Sequence, residues 1–276
     1  MKTWLITGAS TGLGRGLAEA VLRHGDQAVV TARNRHKMDD LLEQYGDRVL
    51  PLSLEVTDRE QRRAVVERAV EKYGTVDVLV NNAGRGHFGA VEDSPKDDVR
   101  LLFETNFFGP VGMIRNVLPY MRTAGSGMIV NVSSMGVMFE TGTGNAYYTA
   151  SKAALEMLSD VLRNEVEPLG IDVMILEPGA FRTEFRVSAI ENTDAQIADY
   201  DKTAGASRKY LREHPHNQSG DPAKAGEAIY KAVNADQKPE VLILGKGMIE
   251  TAEKTLEDRI AEIKRWKDLS ESTDFE

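Results

Sequence analysis

The sequence predicts an α/β fold, a doubly wound, parallel, seven-stranded sheet with helices on both faces. Three observations predict it. Short apolar runs alternate with longer stretches of helical spacing. The runs are almost continuously apolar, as strands covered on both faces are. A glycine-rich turn follows the first run directly and opens a helical pattern. Right-handed crossovers between parallel strands then wind the sheet in both directions.

The elements follow in order. Residues 4–7 form the first strand and 13–22 the first helix, with strands two and three at 28–31 and 49–54. Helical spacing over 61–70 leads to strand four at 76–80. Asn106 lies in a helical stretch just before Gly109-Pro110, where proline removes a backbone donor and should disturb the helix. Strand five is 128–132. A helix then opens at Ala146-Tyr147-Tyr148 and runs to Glu167, ahead of strand six at 171–176. The stretch 183–220 has weaker periodicity and is expected to form a substrate lid; a plain surface excursion is the alternative. Asp221-Pro222 reads as an N-cap and first helical residue, and strand seven is 241–244. No linker or repeat divides 1–246, so one domain is expected there. Residues 247–276 read as a charged helical extension with a frayed end.

Composition narrows the function. Of 276 residues, 41% are hydrophobic and 28% charged, which suits a soluble globular protein. The net charge of −9 disfavours nucleic acid as a partner. There is no cysteine, which excludes disulfides, thiolate nucleophiles and cysteine-ligated zinc, and fits a reducing cytoplasm. A strand follows Met1 almost at once, leaving no room for a signal peptide, and no apolar run is long enough to span a bilayer. A cytoplasmic protein without a membrane partner is the expectation.

The turn Thr7-Gly8-Ala9-Ser10-Thr11-Gly12-Leu13-Gly14 lets backbone approach a pyrophosphate, and the helix after it offers free N–H groups and a positive dipole end. Gly8-Ala9-Ser10-Thr11-Gly12 also fits a G-x-S-x-G nucleophile elbow. None of the five histidines pairs obviously with it, and it follows the first strand rather than a late one. A dinucleotide is therefore the better occupant. An NAD enzyme usually carries an acid roughly 20 residues past the turn. Here Thr31-Ala32-Arg33-Asn34-Arg35-His36-Lys37 has none before Asp39, and Arg33 is placed to pair with a 2′-phosphate. NADP(H) is expected over NAD(H), with a solvated basic turn as the competing explanation.

Tyr148 and Lys152 are four apart and share a helix face, which selects Tyr148 over Tyr147. A phenol has a pKa of ~10, too high for proton exchange near neutrality, and an adjacent ammonium favours the phenolate. Ser133-Ser134 end strand five, where ligands sit in open α/β sheets, and Asn81-Asn82-Ala83-Gly84 end strand four. Taken singly, each is compatible with packing, turn chemistry or capping.

Together, and in this order, these motifs resemble those of the short-chain dehydrogenase/reductase family over residues 3 to about 245. Pro178-Gly179-Ala180-Phe181-Arg182-Thr183 matches the family's P-G-x-x-x-T segment, and the stretches around Asn106 and the C-terminus resemble its hydroxysteroid-dehydrogenase-like branch. The resemblance implies a Rossmann fold and carries roles position by position. Tyr148 would be the general acid in reduction and the base in oxidation. Lys152 would lower its pKa and hold the nicotinamide ribose. Ser134 would orient the carbonyl, and Asn106 would complete a proton relay. Gly8, Ser10, Thr11, Gly12, Leu13 and Gly14 would line the pyrophosphate. Arg33, Glu55, Val56, Asn82, Ala83, Gly84, Pro178, Gly179, Phe181 and Thr183 would complete the cofactor site with Tyr148 and Lys152.

Two positions depart from the family pattern. Glu55 stands where an Asp is usual, and Ser134 lies fourteen residues before Tyr148, one more than usual, which keeps Ser133 as an alternative. The expected activity is hydride transfer between nicotinamide and a carbonyl or secondary alcohol of a hydrophobic small molecule. Its pocket would be walled by Met135, Val137, Tyr147, Phe181 and the lid, with His87 at the rim. A non-catalytic NADP(H)-binding sensor or scaffold is the alternative, and an isomerase or lyase that retains its cofactor a third reading. The family's habit of pairing the long helices that contain Asn106 and Tyr148 implies a homo-oligomer, dimer or tetramer.

Overall fold

Residues 1–139, 142–190 and 197–275 are described by a computed structural model of the chain. Seven strands form one parallel sheet: β1 (Thr3–Ile6), β2 (Gln27–Ala32), β3 (Val49–Ser53), β4 (Val78–Asn81), β5 (Gly127–Val132), β6 (Ile171–Pro178) and β7 (Val241–Leu244). Their order is β3-β2-β1-β4-β5-β6-β7. The order reverses between β1 and β4, and this switch point is where open α/β sheets bind ligands.

The helices are α1 (Gly12–Arg23), α2 (Asp39–Tyr45), α3 (Arg59–Tyr73), α4 (Lys96–Phe103), α5 (Gly109–Ala124), α6 (Ala146–Val166), α7 (Phe185–Ile190), α8 (Ala206–Glu213), α9 (Pro222–Val233), α10 (Met248–Arg265) and α11 (Lys267–Glu271). They cover both faces, and alternate strand residues feed two cores. Trp4, Ile6, Met128, Val130 and Val132 pack with residues of α1 and α9. Leu5, Leu79 and Ile129 pack with residues of α3, α5 and α6. Each fully buried leucine or isoleucine among them contributes about 1.5–3 kcal/mol relative to exposure. The two edge strands are the exceptions to the expected two-sided burial: β3 alternates buried and partly exposed residues, and Val241 of β7 is exposed.

Local signals act where expected. Asp221 caps α9, accepting from the backbone N–H of Ala223 at 2.9 Å, with Pro222 in its first turn. Asp58 caps α3 in the same way. The disturbance before Gly109-Pro110 is a five-residue π turn, Glu104–Phe108, between α4 and α5. α1 and α9 touch backbone to backbone: a Cβ on Gly16 would lie 2.2 Å from the carbonyl oxygen of Pro222, and one on Gly226 2.3 Å from that of Gly16.

The stretch expected as a lid contains α7, two short turns and α8; its residues 191–196 lie outside the described residues. It is pinned at its base, where the N–H of Arg182 donates to the carbonyl of Gly220 at 2.9 Å. α10 and α11 form the helical extension. No helix among the described residues is long and apolar enough to cross a membrane.

Candidate active site

The glycine turn is stitched to the end of β4. Thr7 Oγ1 accepts from the backbone N–H of Asn82 at 3.0 Å and of Ala83 at 2.9 Å. Asn82 Nδ2 donates to the carbonyls of Thr7 and Gly8 at 2.9 and 3.0 Å. The turn needs its glycines. Gly8 has φ 68°, and a Cβ there would lie 2.9 Å from Ala83 Cα; a Cβ on Gly14 would lie 2.4 Å from Asn82 Nδ2. Thr11 is the N-cap of α1 yet makes no side-chain cap, and the first turn of α1 carries no acid. The free N–H groups and dipole end there suit a pyrophosphate. Ser10 and Leu13 flank the turn, each partly exposed. Thr183 stands over the turn, 2.9 Å from where a Cβ on Gly12 would be.

Two basic residues near the turn differ in availability. Arg15 is bound bidentately by Asp40 and also by Glu19, which raises its pKa further. Arg33 is exposed and has no hydrogen bond or ion pair among the described residues. The N–H of Ala9 donates to the carbonyl of Thr31 at 2.8 Å, which holds the turn beside the end of β2. Glu55 turns its side chain back to the N–H of Thr57 at 3.3 Å. Val56 is buried, with its side chain in the core against Gly109. Gly179 donates its N–H to the carbonyl of Leu244 at 2.8 Å, just after Pro178.

α6 carries Tyr148 and Lys152 to the carboxyl ends of the strands. A polar ladder holds it there: Asn81 Nδ2 donates to Asn131 Oδ1 at 2.8 Å, and Asn131 Nδ2 to Ser159 Oγ at 2.8 Å. Lys152 is buried, and its Nζ donates to the carbonyl of Val132 at 2.7 Å. Burial brings its pKa down to about 8, against the pull of Glu156. A Cβ on Gly84 would lie 3.3 Å from Asn106 Oδ1 and 3.5 Å from Lys152 Nζ, so these three residues meet.

Asn106 is fully buried in the π turn. Its Oδ1 accepts from the N–H of Arg85 at 2.9 Å. Its Nδ2 donates to the carbonyl of Arg85 and to Ser151 Oγ, and Ser151 donates to the carbonyl of Tyr148 at 2.7 Å. The amide ties the loop after β4 to the first turn of α6.

The phenol of Tyr148 stands above its ordinary pKa, at about 12, because burial penalises its anion; the Ser134 hydroxyl acts in the opposite direction. From the sequence, the ammonium is expected to bring the phenol below 10. Here desolvation outweighs that, and Lys152 is directed at Val132. Ser133 and Ser134 face different partners. Ser133 donates to Glu156, whereas Ser134 lies by Tyr148 and accepts from the N–H of Gly136 at 3.1 Å.

Some neighbours were not anticipated. Glu156, four residues beyond Lys152, has its pKa raised to about 7 by burial, then by Glu177 and Asp160. Glu177 is buried and also raised, and its Oε2 has no hydrogen-bond partner among the described residues. The spacing 148, 152, 156 was the available signal. The aromatic ring beside Tyr148 is Phe185, 5.6 Å away, and not Phe181. Phe181 packs on Gly220 where the ends of the 183–220 stretch meet, and the two residues bridge. His87 is buried, bonded to Ser94 at 2.8 Å and set edge-on to Tyr147. A hollow of about 390 Å³ opens next to the start of α6, lined by the apolar Ala90, Val91, Ala146 and Ala204 and by Thr143, Asn145, Tyr200 and Thr203. No metal-ligating cluster occurs among the described residues.

Residues 2–194 match the family model described as short chain dehydrogenase. The chain belongs to the short-chain dehydrogenase/reductase family. Among relatives of this dehydrogenase/reductase, an oxidoreductase of Botryotinia fuckeliana is 36% identical over 270 residues, covering 98% of both chains. A 3-ketodihydrosphingosine reductase of Bacteroides thetaiotaomicron is 38% identical over 240 residues, covering 85% of this chain and 84% of its own. The solved structure of a short-chain dehydrogenase from Streptomyces avermitilis superposes with a TM-score of 0.88, at 41% identity, over 99% of this chain and 100% of the other. This short-chain dehydrogenase/reductase is thus an oxidoreductase by family.

Proposed function

We propose that the protein is an NADP(H)-dependent oxidoreductase acting on a carbonyl or secondary alcohol of a hydrophobic small molecule, with Tyr148 as general acid and base. One observation carries the reading. Tyr148, with the Ser134 hydroxyl beside it, and Lys152 share one face of α6, and Lys152 meets Gly84 at the switch point beside the uncapped start of α1. The residues fit a dinucleotide: the glycine turn leaves room only for backbone, and Arg33 is free to meet a 2′-phosphate. A bound nicotinamide would supply or accept the hydride.

The chain's own residues do the rest. Ser134 donates to the carbonyl oxygen and fixes its direction. Tyr148 gives its proton to that oxygen in reduction and removes it from the alcohol in oxidation. Its raised pKa keeps the phenol protonated near neutrality, so the proton is present to be given as charge develops on the oxygen. Lys152, held by the Val132 carbonyl, sets positive charge near the phenolate formed. Asn106 acts as a positioning residue, since its amide is consumed by Arg85 and Ser151. The contact of Phe185 with Tyr148 supports a hydrophobic substrate.

The test is a carbonyl panel with NADPH, followed by nicotinamide absorbance, on the wild type and on Tyr148→Phe. Turnover by the wild type and its loss in the variant, with NADPH binding retained, is the expected result. Undiminished turnover in Tyr148→Phe would refute the assignment. Tight NADPH binding without turnover on any carbonyl would favour a sensor.

A further inference from the structure

We infer that α10 is a self-association surface, pairing antiparallel with α10 of a second copy about a two-fold axis. The helix leaves the body. Ala252 is its last buried residue, and every residue over 256–275 is exposed. The exposed part is not uniformly polar. Ile249, Leu256, Ile260, Ile263, Trp266 and Leu269 are each between 45% and 65% exposed. The four on α10 recur at helical spacing along one side, as a core-facing stripe does, with no core behind it.

Charge identifies the occupant. The first half of α10, 248–258, holds Glu250, Glu253, Glu257 and Asp258 against Lys254. The second half and the residues after it, 259–267, hold Arg259, Lys264, Arg265 and Lys267 against Glu262. The helix dipole favours this polarity within one helix but does not account for the stripe. A parallel pair would set acid against acid. An antiparallel pair sets each acidic half against the partner's basic half.

The stripe is compatible with the same axis. About a centre near residue 258, Leu256 of one copy meets Ile260 of the other. Glu253 and Lys264 are eleven residues apart, about three turns, so they lie on the same edge of the stripe. Antiparallel pairing therefore brings Glu253 against the second copy's Lys264, and the reverse, as an isologous contact requires. A helix of 18 residues is about 27 Å long, so the contact is small beside the ~800 Å² per partner of standard interfaces, and the association should be weak and charge-sensitive.

The test uses full-length protein in sedimentation velocity at micromolar concentration, with Ile260→Glu/Ile263→Glu, Glu253→Lys and Lys264→Glu variants. The expected result is a halved assembly mass in the double apolar variant, with basal activity unchanged. Each charge variant alone should weaken assembly about tenfold, and a one-to-one mixture of the two should restore it, because both contacts are again of opposite sign. Circular dichroism shows whether each variant is folded. An unchanged mass in the folded double variant would overturn the proposal. So would a mixture that assembles no better than its components, or a wild type that binds anionic lipid vesicles through α10 while its mass stays that of the double variant.

Discussion

Lys152 Nζ donates to the carbonyl oxygen of Val132 at 2.7 Å. This contact fixes the ammonium at the end of β5, one residue before Ser133, whose hydroxyl donates to Glu156. Lys152 is therefore coupled to a buried acid behind it. Lys152 is charged below about pH 8 and neutral above, whereas Glu156 is an anion above about pH 7. If carbonyl reduction needs the ammonium, kcat/KM should fall as pH rises through about 8. The Glu156 anion raises the lysine's pKa, so Glu156→Gln should move that alkaline limb to lower pH. A pH–rate profile from 6 to 10 measures both, and an unmoved limb in the variant would separate Glu156 from the chemistry.

The same acid affects stability with a definite sign. Its pKa is raised on folding, so the folded state holds the proton more tightly than the unfolded chain. That stabilisation is present below the unfolded value of about 4.5 and is lost as pH rises to about 7. Glu156→Gln removes this titration. Its Tm should change less between pH 4.5 and 7.5 than that of the wild type, as read by thermal circular dichroism. Parallel Tm curves would contradict the burial argument.

The adjacent serines should separate by effect. Ser134 lies by the Tyr148 phenol, and loss of one donor to a developing oxyanion costs roughly 10²–10³-fold in kcat. Ser134→Ala should show that fall with little change in KM. Ser133→Ala breaks the bond to Glu156, so its effect should appear in the pH profile instead. Equal losses in kcat from both variants would defeat the distinction.

Much of this was legible in the sequence because it is local. The strand runs, the glycine turn and the 148–152 spacing are each set within a few residues. What was not legible depends on contacts across the chain. Phe185 reaches Tyr148 from the start of α7, and Phe181 is held by its bridge to Gly220. The amide of Asn106 is bonded to Arg85 and Ser151, contacts across the chain that the sequence does not show. Glu156 sat one further turn along the catalytic face, but its burial beside Glu177 comes from β6, over twenty residues on.

Cofactor preference should depend on Arg33. Arg15 is occupied by Asp40 and Glu19, whereas Arg33, the first residue after β2, is exposed. A charge-assisted pair with a 2′-phosphate is worth about 1.5–3 kcal/mol, or roughly ten- to a hundredfold in affinity. Arg33→Asp should weaken NADPH by that factor and leave NADH unchanged or tighter, measured by fluorescence titration. An undiminished preference for NADPH would reject this role.

The contact between α1 and α9 gives a prediction away from the chemistry. Gly226 has no space for a methyl: its Cβ would lie 2.3 Å from both the carbonyl carbon and oxygen of Gly16. The obstacle is backbone, so no rotamer change relieves it, and α9 must move from α1. Overpacking of this kind costs about 1–3 kcal/mol or more. Alanine also gains about 1 kcal/mol of helix propensity over glycine, which offsets part of the loss. The net change in Gly226→Ala should still be destabilising, with a lower urea midpoint. Because α1 begins at the glycine turn, its displacement should also weaken NADPH binding while Tyr148 and Lys152 stay in place on α6. A variant as stable as the wild type, or more so, would mean that the two helices separate freely and that their close approach does not hold the turn.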